Sequence, residues 1–460
     1  MKNSTSLSEI ALSGRWREHL NQLGYTSLTE IQAQSLPLIL KGEDVLGQAQ
    51  TGSGKTAAFA IGLLNRLTPG ELEPQALILC PTRELADQVA KEVRRLAQCL
   101  ENIKVLTLTG GQPIGAQLHS LRYGAQVVVG TPGRICDHLR KGSLRLRRLK
   151  TLVLDEADRM LDMGFQEDMQ SIVDHTPPNR QTLLFSATFP PSVSSLSDGI
   201  QTKAKFVRVE ESEQKHLNIK QSFYHTSGPE RLDHLATLLS QVKPTSTVIF
   251  CNTRQMCTDT TTRLRKLGYA ASGLQGDMEQ RQRDSAIRRF THQSLTVLVA
   301  TDVAARGLDV DHVDTVINLE LPKTVDVYIH RIGRTGRAGR KGNAYSFVLA
   351  REQHRVEKLD EHFGSETTIK TLRINPNPSV PPKPSMATIE IDAGKKQKIR
   401  PGDIVGALTN GGDIKGDQIG KIDVTDFNAY VSVHAALAKT AVKKLAEKGI
   451  KKKRVRARKV

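Results

Sequence analysis

Two short segments of this 460-residue chain carry side chains suited to phosphate chemistry. The first is Ala49-Gln50-Thr51-Gly52-Ser53-Gly54-Lys55-Thr56. A glycine-rich turn lets backbone N–H groups approach phosphate oxygens, and Lys55 adds a compact positive charge. The second, Asp155-Glu156-Ala157-Asp158, ends the apolar run Thr151-Leu152-Val153-Leu154 about one hundred residues later. Thr56 offers a hydroxyl to Mg²⁺, and Asp155 can hold the same ion through water. Glu156 can orient or deprotonate an attacking water. An acidic pair at a helix start is also favoured by the helix dipole alone. That explains the charge of Asp155 and Glu156 but not their pairing with a phosphate loop, so nucleoside triphosphate hydrolysis is implied.

These groups need strand ends to hold them. Over the first two hundred residues, strands are expected at 44–48, 76–80, 105–109, 126–130, 151–155 and 181–186, separated by helical stretches such as Arg83 to Leu100. This βαβ alternation predicts an α/β fold with a doubly wound parallel sheet, whose ligands gather at the carboxyl ends of strands. The polar stretch Glu210 to His216 breaks the pattern and reads as a linker. A second α/β set follows, with strands at 246–251, 270–274, 295–301, 315–319 and 344–349 and no phosphate loop of its own. Two similar lobes with a site between them are expected. The run Asn375 to Ser385, rich in proline, predicts a semi-rigid spacer. Beyond it, the order β-α-β-β-α-β (strands 387–391, 419–424, 429–433 and 454–459; helices 401–409 and 434–448) is that of an RNA-recognition module. The expected domains are therefore 1–209, 220–374 and 386–460, joined by linkers at 210–219 and 375–385.

Composition narrows the partner. The net charge is +18, and from Ser385 onward 17 Lys/Arg against 8 Asp/Glu supply half of it. Such a surplus points to a polyanion. No apolar run is long enough to span a bilayer, and the first residues lack the apolar stretch of a secretory signal, so a cytoplasmic protein without a membrane partner is expected. The five cysteines (80, 99, 136, 251 and 257) fit neither a zinc site nor a redox pair and read as small buried hydrophobes.

Further motifs stand in a fixed order: Pro81-Thr82-Arg83-Glu84-Leu85, Gly110-Gly111, Thr131-Pro132-Gly133-Arg134, Ser186-Ala187-Thr188, Val248 to Asn252, Gln280 to Arg283, Ala300 to Asp309 and His330 to Arg337. With these, the first 375 residues resemble the DEAD-box RNA helicases. The tail, through Ile399 to Thr409 and Ile419 to Ile422, resembles the RNA-binding domain of the DbpA group.

The resemblance implies two tandem RecA-like domains and an RRM-like tail, ATP and Mg²⁺ as cofactors, and RNA-dependent ATP hydrolysis. It also implies a 23S ribosomal RNA hairpin in pre-50S particles as target, and a monomer is expected. It assigns catalysis to Lys55, Asp155 and Glu156, with Arg334 and Arg337 as arginine fingers. It assigns ATP binding to Tyr25, Gln32, Thr51, Gly52, Ser53, Gly54, Lys55, Thr56 and, at the ribose, Asp309. Two positions depart from the pattern: Leu28 stands where proline is usual, and Leu7 where a phenylalanine stacks on adenine.

Core RNA contacts are expected from Arg83, Gly110, Gly111, Thr131, Gly133, Arg134, Asn252, Gln280, Arg283, Thr301 and Asp302. Ser186, Thr188 and His330 would couple hydrolysis to strand separation. In the tail, Lys451, Lys452, Arg454, Arg456 and Arg458 are candidates. The three arginines alternate with Val455 and Ala457, so one strand face could present them to phosphates. Phe427 and Tyr430 could stack bases, although aromatics near strands are more often core. Two other classes remain open at this point, an RNA clamp that does not unwind and a DNA translocase. A duplex-separation assay and a 2′-deoxy competitor would distinguish them.

Overall fold

The computed structural model describes residues 10–49, 52–209, 219–305, 313–336, 341–375, 379–451 and 453–460. The chain forms two compact units, one from the described residues up to Val209 and one from Ile219 onward.

The first unit is a seven-stranded sheet in the order β3-β4-β2-β5-β6-β1-β7. Its strands are β1 (Val45–Gln48), β2 (Ala76–Leu79), β3 (Val105–Leu108), β4 (Val127–Gly130), β5 (Thr151–Asp155), β6 (Gln181–Ser186) and β7 (Lys205–Arg208). Every pairing is parallel. β2, β4, β5 and β6 are buried along their whole length, which is why they read as continuous apolar runs. Helices cover both faces. Arg83–Leu96 buries Leu85, Ala86, Val89, Ala90, Val93 and Leu96, a stripe at helical spacing, and the Thr82 side chain caps its start. Edge strand β7 buries only Val207 and lacks the apolar run that marks the others.

The second unit contains a seven-stranded and a four-stranded sheet. The larger has the order β10-β11-β9-β12-β13-β8-β14 and is again all parallel. Its strands are β8 (Ile219–His225), β9 (Thr247–Cys251), β10 (Ala271–Leu274), β11 (Val297–Thr301), β12 (Thr315–Asn318), β13 (Gly342–Val348) and β14 (Ile369–Thr371). The smaller is antiparallel, in the order β16-β17-β15-β18, from β15 (Met386–Ile391), β16 (Ile419–Val424), β17 (Ala429–His434) and β18 (Ala457–Lys459). One face of it presents Ala387, Ile389, Ile391, Val431 and Val433 to helices Pro401–Thr409 and Ala438–Lys448, which contribute Ile404, Leu408, Ala441 and Leu445.

The proline-rich connection is fastened to the second unit where it is described. Asn375 N donates to Thr237 Oγ1 at 3.0 Å, and Ser379 Oγ donates to Ser240 O at 3.3 Å. The expected linker at 210–219 lies almost wholly outside the described residues. All five cysteines are buried and free, and burial raises their thiol pKa values.

Candidate nucleotide and RNA sites

In a parallel sheet all strands point the same way, so the loops after β1, β2, β4, β5 and β6 emerge on one edge. The phosphate loop follows β1. Gly52 and Gly54 have φ of +82° and +96°, and Gly54 caps the helix Lys55–Asn65. A side chain at Gly54 would be strained and would meet Gln32 and Thr29. Gln32 braces this turn: its Nε2 donates to Gly54 O at 3.1 Å, and its Oε1 accepts from Thr29 N at 3.0 Å. Lys55 is buried at the helix start, and its Nζ donates to Ala49 O at 2.6 Å. Thr56 and Ser53 are half-buried, and Thr51 lies outside the described residues. Tyr25 is engaged elsewhere. Its hydroxyl donates to Glu92 at 2.9 Å and accepts from Arg95 at 2.9 Å, and burial helps push its pKa up to about 12.

Asp155 closes β5. Burial raises its carboxyl to about 6, against the pull of Lys55 and with the help of Glu156. Its Oδ1 is buried with no hydrogen-bond partner among the described residues. A buried carboxylate oxygen without a donor has the chemistry of a cation ligand. Glu156 adopts left-handed backbone, φ +55° and ψ +53°, at the N-cap of helix Ala157–Asp162. A non-glycine residue there is strained and needs support. Arg159 supplies some of it through a buried ion pair, Nη1 to Oε2 at 2.7 Å.

Asp158 joins β5 to β6. Thr188 donates to its Oδ2 from N at 3.0 Å and from Oγ1 at 2.7 Å. Ser186 Oγ donates to Thr188 O at 2.7 Å. Burial alone would raise the Asp158 pKa, but the Thr188 hydrogen bonds and the Arg159 charge outweigh it and hold the carboxyl below its usual value. Ser186 and Thr188 are thus tied directly to the acidic motif.

The expected RNA contacts of the first unit form a second cluster on this edge. A Cβ at Gly111, φ +73°, would overlap the Arg83 guanidinium, and one at Gly110 would lie 3.0 Å from it. Gln117, absent from the sequence reasoning, bridges two of the loops. Its Nε2 donates to Thr109 O at 2.9 Å, and its Oε1 accepts from Arg134 Nη1 at 2.9 Å. His138 Nε2 lies 3.0 Å from the same oxygen, and its Nδ1 lies 2.9 Å from Ser143 Oγ. Because that oxygen only accepts, His138 carries its proton on Nε2. Burial holds the His138 pKa below its ordinary value, with Arg134 and Lys141 adding to the effect against Asp137.

In the second unit the organising residue is Arg331, 1 % exposed, whose role is not legible from its motif alone. Its Nε and Nη2 donate to the two carboxylate oxygens of Asp302 at 2.6 and 2.7 Å. Its remaining N–H groups reach Asn318 Oδ1 (3.2 Å), Glu320 O (2.7 Å) and Asn252 Oδ1 (2.7 Å). All five donors are satisfied, so Arg331 fixes two expected RNA contacts, Asn252 and Asp302, at the ends of β9 and β11. Helix Gln280–Thr291 places Gln280 and Arg283 at its start, with Arg283 Nη2 donating to Ala304 O at 3.3 Å. Thr301 and Arg334 are buried, and His330 is half-buried on helix Val325–Ile332. Asp309 and Arg337 lie outside the described residues.

The tail departs from expectation in two respects. The last strand spans only Ala457–Lys459, so Arg454 and Arg456 precede it and the three arginines do not form one strand face. Arg458 pairs with Glu390 at 2.7 Å across β15. Lys451 pairs with Asp403 at 2.7 Å, and Lys452 lies outside the described residues. The second departure concerns the aromatics. Tyr430 lies beneath Arg288, whose Cζ is 3.6 Å from the ring centroid. Phe427 is 65 % exposed. Its hairpin adjoins a lysine-rich turn that sequence reasoning passed over: Lys395 N donates to Thr425 O and Lys396 N to Asp426 O, both at 2.9 Å.

Known proteins match the chain in sequence and in fold. Residues 29–196 match the DEAD/DEAH box helicase family, 230–339 the helicase conserved C-terminal domain, and 388–459 the DbpA RNA binding domain. The ATP-dependent RNA helicase DbpA of Escherichia coli is 47 % identical over 96 % of both chains. CshA of Bacillus subtilis, a DEAD-box ATP-dependent RNA helicase, is 41 % identical over 77 % of this chain and 72 % of its own. Among solved structures, Saccharomyces cerevisiae Dbp5 bound to RNA and ADP BeF3 aligns with a TM-score of 0.69 and 31 % identity, covering 80 % of this chain and 95 % of that one.

Proposed function

We propose, from the premise that this chain belongs to the DEAD-box ATP-dependent RNA helicases of the DbpA group, that it remodels a 23S ribosomal RNA hairpin region during assembly of the large ribosomal subunit. RNA-dependent ATP hydrolysis is the activity of the family. The target, the site roles and the cellular setting are our reading. The tail selects the RNA, and the core acts on neighbouring duplex. Tethering raises the effective concentration of that duplex at the core.

In the first unit, Gly52, Ser53, Gly54 and Thr51 receive the phosphates on backbone amides. Lys55 exchanges its bond to Ala49 O for phosphate oxygens. Gln32 links the adenine to the state of the phosphate loop through Gly54. Thr56 and Asp155 fit a Mg²⁺ ion, Asp155 partly through water, and the orphaned Asp155 Oδ1 is the observation that carries this. Bound there, Mg²⁺ neutralises charge on the transferring phosphoryl group. Glu156, held by Arg159, orients the attacking water and accepts its proton. Arg334 and Arg337 stabilise the charge that develops on the γ-phosphoryl oxygens, and Asp309 serves the ribose.

RNA backbone contacts fall to Arg83, Gly110, Gly111, Thr131, Gly133 and Arg134. Asn252, Gln280, Arg283, Thr301 and Asp302 serve the second unit. Phosphate and 2′-hydroxyl contacts carry no sequence information, so target choice belongs to the tail. There the exposed Phe427 beside Lys395 and Lys396, with Lys451 and Arg454, supports RNA binding better than the terminal arginines alone. The protein works as a monomer in the cytoplasm. Crosslinking of the full chain to cellular RNA tests the reading. Sites concentrated at one 23S hairpin are expected, and sites spread evenly over all transcripts would refute the targeting claim.

A further inference from the structure

Helix Ile114–Arg122 buries a single side chain, and it is an amide: Gln117 is 4 % exposed, while Leu118 and Leu121 stay half-buried. Apolar packing does not account for its place, so its hydrogen bonds must. The polar groups around it are buried as well, His138 at 0 % and Thr109 at 3 % exposure.

These bonds have a direction. Arg134 Nη1 and His138 Nε2 both meet Gln117 Oε1, at 2.9 and 3.0 Å, and a carbonyl oxygen can only accept. Two donors on one side fix the amide, which turns its Nε2 to Thr109 O at 2.9 Å. Arg134 Nη1 also donates to Gln112 O at 3.1 Å. Thr109 and Gln112 stand immediately before and after Gly110-Gly111. The glycine turn is therefore held at both ends, by Arg134 directly at one and through Gln117 at the other. His138 is braced in turn by Ser143 Oγ, 2.9 Å from its Nδ1. It lies one turn beyond Arg134 on helix Pro132–Arg140, so both donors leave the same face.

We propose that Gln117 and His138 are positioning residues for RNA: they hold the Gly110-Gly111 turn and Arg134 at the spacing that the backbone of one RNA strand requires, without touching the strand. This rests on reading Gly110, Gly111 and Arg134 as RNA contacts. Contacts ordered in advance spare the ordering cost that binding would otherwise carry. A buried polar cluster can also serve stability alone. The two roles differ in what happens to RNA affinity while the protein stays folded.

Fluorescence anisotropy of the full chain with a labelled oligouridylate, in the presence of ADP and beryllium fluoride, reads the core contacts. Gln117→Met keeps the length of the side chain and loses both polar ends. It should weaken oligouridylate binding about fivefold, a change of about 1 kcal/mol, while affinities for trinitrophenyl-ATP and for a 23S hairpin fragment stay within about twofold. His138→Leu should lose as much. His138→Gln, whose amide nitrogen reaches the place of Nε2, should recover binding to within about twofold of the parent. That pair keeps the test open where Gln117→Met does not fold. Arg134→Ala is the control for the contact itself. If it weakens RNA binding while the Gln117 and His138 variants all match the parent, the positioning role is overturned and the contact stands. If Arg134→Ala has no effect, the contact is removed and the proposal with it. Equal losses for RNA and nucleotide, or for His138→Leu and His138→Gln alike, would reduce the cluster to a structural role and overturn the proposal.

Discussion

Arg331→Ala is the most informative single change in the second unit. It removes a side chain that is 1 % exposed and satisfies four residues. The losses differ in kind. Asp302 is 29 % exposed and can recover water, whereas Asn318 is 0 % exposed and is left with a stranded oxygen. A stranded buried acceptor costs about 1–3 kcal/mol. Breaking a fully buried, hydrogen-bonded ion pair from one side costs about 3–5 kcal/mol, which is an upper bound here because Asp302 regains water. The lost packing against Phe250, 5.1 Å from the guanidinium carbon, acts in the same direction. For a unit of this size the melting temperature should fall by roughly 10 °C or more. Arg331→Lys keeps a charge but not the planar fork, so an intermediate loss of about 2 kcal/mol is expected. Scanning calorimetry of the full chain reads both variants. At temperatures where Arg331→Ala remains folded, the KM for RNA should rise more than kcat falls, because Asn252 and Asp302 lose their anchor. A variant melting within about 2 °C of the parent would refute the hub.

Glu156→Gln keeps size and backbone but removes the proposed base, so hydrolysis should fall at least about 100-fold with ATP affinity nearly unchanged; equal losses in both would point to a structural role. Gly111→Ala introduces strain at φ +73° and displaces Arg83. It should weaken RNA binding several-fold in fluorescence anisotropy without altering ATP binding. Burial holds the His138 pKa of the folded chain below the ordinary 6.5. The unfolded chain therefore takes up the proton first. The stability His138 contributes is present above pH 6.5 and declines below it, by up to about 1.4 kcal/mol per pH unit. Thermal midpoints measured from pH 7.5 to 5.5 should fall less in His138→Gln than in the parent, and parallel curves would contradict the assignment.

The fold was largely legible because buried parallel strands read as continuous apolar runs: Thr151–Asp155 and Gln181–Ser186 appear with the bounds expected. Edge strands β7 and β14 were invisible for the converse reason, since Lys205–Arg208 buries one residue and Ile369–Thr371 none fully. The phosphate loop and acidic motif could be read because consecutive residues carry their chemistry. Arg331 and Gln117 could not, because their partners lie up to 79 residues away in sequence and meet only when strand ends converge. In the tail, alternation suggested an arginine-lined strand face. The strand is three residues long, and Glu390 engages Arg458, so local pattern gave way to a cross-strand ion pair.

On the proposed function, RNA binding governs ATP hydrolysis and the tail chooses the RNA. Initial rates of ATP turnover by the full chain, with no RNA, with generic duplex RNA and with a 23S hairpin fragment, test it most directly. The account predicts the greatest turnover with the hairpin, at the lowest RNA concentration, and little without RNA. Turnover that no RNA accelerates would contradict it.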